Sequence, residues 1–123
     1  MAPDHFLELV REAVESLPEQ IARAMENVEV VVEPWPTVQQ LLAAGITPGR
    51  GTLFGLYQGV PLTRRTSGYS LVLPDKITIF QGPIIAVHRS DDAIREQVRR
   101  TVIHEIAHHF GIDDDRLREM GRY

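Results

Sequence analysis

Apolar positions near the start of the chain recur at helical intervals. Phe6, Leu7, Val10, Ala13, Val14 and Leu17 stand three or four apart behind Asp4, a residue suited to an N-cap. Pro18 predicts a restart, because proline is welcome in a first helical turn, and Ile21, Ala22 and Met25 continue the pattern as a second short helix. At residues 27–33 the pattern changes to a valine-rich run that reads as a β-strand, ended by Pro34, Trp35 and Pro36. Thr37 caps a short helix through Ala44, which Gly45 stops, and residues 47–52 form a turn or loop. Residues 53–60 read as a second strand and 61–70 as a polar connection containing Arg64 and Arg65. Residues 76–81 alternate as a half-buried strand, and the apolar piece 84–87 after Gly82 and Pro83 is expected to extend the sheet.

The longest periodic stretch runs from Asp91 to Phe110, with Ser90, Asp91 and Asp92 suited to its first turn and Gly111 expected as the left-handed residue past its end. Ser90 is followed three residues later by Ala93, so it makes no capping box. At about 100° per residue from Val98, the residues Val102, Ile103, Ile106, Ala107 and Phe110 cover roughly 0–180° and predict the core side. His104 and His108 fall near 240° and 280°, on the opposite side. Residues 113–120 are expected to close the chain with one or two helical turns.

Within that helix lies His104-Glu105-Ile106-Ala107-His108, extended to Gly111 and Asp114 as H-E-x-x-H-x-x-G-x-x-D. Residues four apart share a helix face, so both imidazoles can meet one ion at about 2.0–2.1 Å. Glu105 stands about 100° round from His104, where it can take a proton from a metal-bound water without being a ligand. Two histidines leave a catalytic zinc short of its usual three protein ligands. Gly111 permits a sharp reversal that can return Asp114 to the metal, with Asp113 or Asp115 as the fallback donors. Against this stands the reading in which the three aspartates merely cap a terminal helix.

Composition narrows the rest. A chain of 123 residues makes one domain, 1–123, with one core. It carries 13 basic and 17 acidic residues, net charge −4, which leaves no electrostatic footprint for nucleic acid. With no cysteine, a metal must be held by histidine and carboxylate. The N-terminus lacks a basic segment followed by an apolar run, and no stretch approaches the roughly 18 apolar residues of a membrane span, so no secretory signal, pro-segment or membrane partner is expected and the cytoplasm is the default location.

At the level of the whole chain, residues 56–63, 73–84 and 95–111 together with the motif resemble the small zincin-like metallopeptidase family, a minimal metzincin-like fold. The resemblance implies an α+β domain, a small mixed β-sheet packed on a long active-site helix, with Zn2+ held by His104, His108 and Asp114. Aspartate in the third place is similar to snapalysin-type proteases. Larger metzincins follow the third ligand with a methionine-containing turn and a further subdomain, whereas here nine residues follow Asp114, and Met120 is read as core packing.

The resemblance therefore implies a zinc-dependent metallopeptidase with Glu105 as general base, acting on a peptide or protein substrate that adds to a sheet edge, for which residues 76–81 are the candidate. A partner that completes the cleft is part of that expectation. A non-catalytic zinc-stabilised interaction or regulatory module is the alternative; a metal-dependent endoribonuclease shares the ligand spacing but has no need of Glu105. Tyr57, Tyr69 and Tyr123 are read as packing or surface residues rather than oxyanion donors. His5 is read as a surface group, His109 as a group behind the ligands or on the surface rather than a ligand itself, His88 as an ordinary hydrogen-bonding histidine, and Arg95, Arg99 and Arg100 as a solvated helix start.

Overall fold

The computed structural model describes residues 1–59, 74–112 and 115. The connection 61–70 with Arg64, Arg65 and Tyr69, the aspartates 113 and 114, the terminal segment from 116 with Met120, and Tyr123 lie outside the described residues.

Helix α1, Pro3–Glu15, begins two residues earlier than its polar cap suggests: Ala2 is the N-cap, without a side-chain cap, and Asp4 sits in the first turn. Pro3 explains the shift, since its fixed φ suits a first helical position and its missing N–H costs nothing there. Phe6, Leu9, Val10 and Ala13 are buried, while Leu7 points outward. Pro18 stands at the N-cap of α2, Glu19–Ala24, which buries Ile21. Strand β1, Val28–Glu33, follows. Helix α3, Val38–Ala43, has a capping box: the Gln40 N–H donates to Thr37 Oγ1 at 3.0 Å and the Thr37 N–H to Gln40 Oε1 at 2.8 Å.

Among the described residues, strands β2, Gly55–Gln58, and β3, Asp75–Phe80, complete a three-stranded mixed sheet in the order β1-β3-β2, with β3 parallel to β1 and antiparallel to β2. The segment expected at an edge is therefore the central strand. Its burial fits: Ile77 to Phe80 are buried on both faces, Thr78 included. Gln81 does not extend it, because Gln81–Val87 is a helix, α4, where a further strand was expected. Gly82 and Pro83 lie in its first turn, where backbone N–H groups have no intrahelical partner and proline is tolerated. The Gly82 N–H instead donates to the Pro34 carbonyl at 2.7 Å, tying α4 to the end of β1.

Helix α5, Asp91–Phe110, is capped by Ser90, whose Oγ accepts from the Ala93 N–H at 3.1 Å. It ends in a Schellman motif: Gly111 is left-handed at φ 70°, the Ile112 N–H reaches the Ala107 carbonyl at 2.7 Å and the Gly111 N–H reaches His108 at 3.4 Å. Ile94, Val98, Val102, Ile103, Ile106 and Ala107 join Phe6, Leu9, Val10, Ile21, Ile77 and Ile79 in one core, with Ile112 packed against it. Phe110 departs from the helical-wheel expectation and is 51% exposed. The architecture is α+β, with α1 and the sheet both packed on α5.

Candidate metal centre

The face of α5 turned toward the sheet explains the site. Thr101, Glu105 and His109 form one i, i+4, i+8 ridge, and β2 lies along it. Gly55 abuts Thr101; the Tyr57 N–H donates to Glu105 Oε1 at 2.8 Å; and the Tyr57 ring stacks on His109, with centroids 3.9 Å apart and planes 17° apart. His104 and His108 occupy the neighbouring ridge, exposed, and face a cleft of about 610 Å³ that Glu105 and His109 also line. Ala43, Ala44, Leu53 and Leu56 line it as well.

The structure thus brings His104, Glu105 and His108 together on one cleft. The outward direction of the Tyr57 N–H follows from strand register. Phe80 N–H bonds to the Phe54 carbonyl at 2.9 Å, so even-numbered residues of β2 face β3 through their backbone groups and odd-numbered ones face away. An outward N–H on an edge strand needs an acceptor, and the Glu105 carboxylate is one.

Two exposed imidazoles at i, i+4, with no thiol in the chain, match the ligand type that suits zinc and could hold two of its three usual protein positions. Among the described residues no third histidine or carboxylate joins them. Asp114 and Asp113 lie outside those residues, and Asp115 is exposed. Gly111 is left-handed, as expected, and Ile112 packs against the core.

Other expected roles resolve variously. The Tyr57 hydroxyl donates to Asp75 Oδ2 at 2.5 Å, which commits it to the strand pair rather than to the cleft. His109 is exposed as expected, yet it lines the cleft, and Phe110 meets it edge-on at 4.8 Å. His88 bonds Gln97 Oε1 at 2.9 Å, and His5 bonds Asp91 at 2.9 Å. Arg99 and Arg100 pair with Glu96, whereas Arg95 reaches Asp92 and, across to α1, Glu12 at 3.1 Å. The inventory of chemical side chains missed Gly55, Thr101 and the main chain of Tyr57. The i, i+4, i+8 series through Glu105 was the available signal.

A long helix bearing an H-E-x-x-H face beneath the edge strand of a mixed sheet is the arrangement of a zincin-like domain. The profile of the zincin-like metallopeptidase family matches residues 25–122, and the chain belongs to that family. It is similar to a solved conserved hypothetical protein from Thermo thermophilus, 22% identical, over 89% of this chain and 94% of that one, with a TM-score of 0.53. At that identity the likeness speaks to the fold alone. No curated protein matches the chain. Among the described residues, no helix is long and apolar enough to cross a membrane.

Proposed function

We infer that this domain is a zinc-dependent metallopeptidase, with His104, His108 and Asp114 as ligands and Glu105 as general base. The observation that carries the reading is the convergence of both imidazoles and Glu105 on one cleft, with the carboxylate anchored to an edge strand. Bound zinc supplies Lewis acidity toward a carbonyl and makes water more acidic at neutral pH. Glu105 accepts the proton of the attacking water and returns it to the departing amine. The Tyr57 N–H holds one carboxylate oxygen of Glu105 at 2.8 Å, which orients the group toward the cleft.

A peptide cannot add to β3, whose two edges are both paired, and the outward Tyr57 N–H of β2 is taken by Glu105, so the substrate lies in the cleft beside His104 and His108. Ala43, Ala44, Leu53 and Leu56 give that cleft an apolar lining for substrate side chains. Metal content and cleavage of unstructured peptides test the reading together. About one zinc per chain is expected. Cleavage should stop on chelation and return with zinc, and His104→Ala or His108→Ala should lose both metal and cleavage. Asp114→Ala should weaken metal affinity. A stoichiometric metal retained in the double histidine variant overturns the assignment.

A further inference from the structure

Strand β2 and helix α5 come into close contact one turn before Glu105, at Gly55 and Thr101. A Cβ placed on Gly55 would lie 2.5 Å from Thr101 Cγ2, 3.1 Å from the Thr78 carbonyl oxygen and 3.4 Å from Ile79 Cδ1. Carbon atoms pack at about 3.5–4.0 Å, so any side chain at position 55 requires the two elements to part by roughly 1 Å. Thr101 is not at liberty to turn its methyl aside: its hydroxyl donates to the Gln97 carbonyl at 2.7 Å and accepts from Gln97 Nε2 at 3.1 Å, and the residue is buried.

The contact is coupled to the next one along. Two strand residues rise about 6.7 Å and four helix residues about 6 Å, so β2 and α5 run in step from the pair Gly55–Thr101 to the pair Tyr57–Glu105. Spacing at the first pair sets the distance at the second. There the N–H to carboxylate bond is 2.8 Å long, and an opening of roughly 1 Å carries it beyond hydrogen-bonding range.

We propose that Gly55 is a positioning residue for Glu105: its missing side chain lets β2 close on α5, so that the Tyr57 N–H fixes the carboxylate. The use of that carboxylate in hydrolysis rests on the function proposed above; its placement does not.

The test compares Gly55→Ala, Thr101→Ser and the double variant with the unaltered protein, first metal-free and then zinc-loaded. Thr101→Ser removes the obstructing methyl and keeps the hydroxyl bonded to Gln97. In the metal-free protein the Tyr57 amide proton, read by NMR with Glu105→Ala as reference, should move upfield in Gly55→Ala. Its hydrogen exchange should quicken on the order of tenfold. The double variant should recover much of both, short of fully because the Thr78 carbonyl stays close. In zinc-loaded protein, kcat of Gly55→Ala should fall on the order of 100-fold with KM and zinc affinity unchanged, and the double variant should regain activity. An unmoved Tyr57 amide in Gly55→Ala overturns the proposal, as does a defect that Thr101→Ser leaves unrelieved. Should Gly55→Ala not fold, a folded double variant with a near-normal Tyr57 amide supports it, and an unfolded one overturns it. If none of the proteins cuts peptide, the functional reading falls while the amide signal still decides the role of Gly55.

Discussion

Glutamine and alanine at position 105 separate two roles of one carboxylate. In the folded protein Glu105 Oε1 accepts the outward N–H of Tyr57 at 2.8 Å, at a partly buried place on the sheet edge. Glutamine keeps a carbonyl oxygen for that donor but cannot act as a base at neutral pH; alanine removes both. A hydrogen bond to a charged group contributes about 1.5–3 kcal/mol to stability and a neutral one about 0.5–1.5 kcal/mol. Water can partly replace the acceptor at a half-exposed edge, and alanine gains a few tenths of a kcal/mol in helix propensity. Glu105→Ala should therefore cost about 1–2 kcal/mol and Glu105→Gln about half of that or less. With a urea dependence of about 1–3 kcal/mol per molar for a protein of this size, the alanine variant should unfold roughly 0.5–1 M earlier. The measurement belongs on chelator-treated protein, because metal binding adds its own stability and hides the difference. Equal losses in the two variants, or none in alanine, would refute the claim that the Tyr57 N–H is tied to this side chain.

Gly82→Ala tests the packing of α4 on the loop after β1: a Cβ there would fall 2.2 Å from Trp35 Cε2, so the indole must swing away. The emission of Trp35, the single tryptophan, should shift red, and stability should drop by about 1–2 kcal/mol; an unchanged spectrum contradicts the contact. On α1, Arg11 bonds Glu8 and Glu15, and that bond holds the Glu8 carboxyl below its ordinary value. A lowered folded-state value means the pair stabilises above the ordinary carboxylate range and loses its contribution as pH falls through the folded value; both groups are exposed, so the effect is small. Arg11→Gln should raise the Glu8 titration midpoint by NMR toward the free-glutamate value, and no movement counts against the pair.

The long helix α5 was legible because two independent patterns agreed: the apolar residues Val98, Val102 and Ile106 mark one side and the histidines the other. The wheel failed at Phe110, where the helix outruns the core and the ring meets Tyr57 and His109 instead. Strand order was not legible. Thr78 made residues 76–81 look half-buried, yet Thr78, on the central strand, is buried too. A polar residue on a covered face mimics alternation. The piece 84–87 is short and apolar, and such runs do not distinguish strand from helix by period. The likeness to the zincin family pointed to a mixed sheet on a long helix, but nothing in the pattern tells that β2 is the strand above it. The tie between Tyr57 and Glu105 joins residues 48 apart, and it rests on the absence of a side chain at Gly55. For Asp114 the reading still stands on spacing and on the left-handed Gly111.

The central claim is that Glu105 serves as the base of a zinc-dependent hydrolysis. The most direct measurement presents one peptide library to wild-type and Glu105→Gln proteins loaded to equal zinc, with cleavage read by mass spectrometry. Wild type should cut, and Glu105→Gln, folded and with its zinc retained, should slow every cut on the order of 100- to 10,000-fold, the span of general base catalysis. Cuts that persist at the same rate in Glu105→Gln, or a zinc-loaded wild type that makes none, would contradict the account.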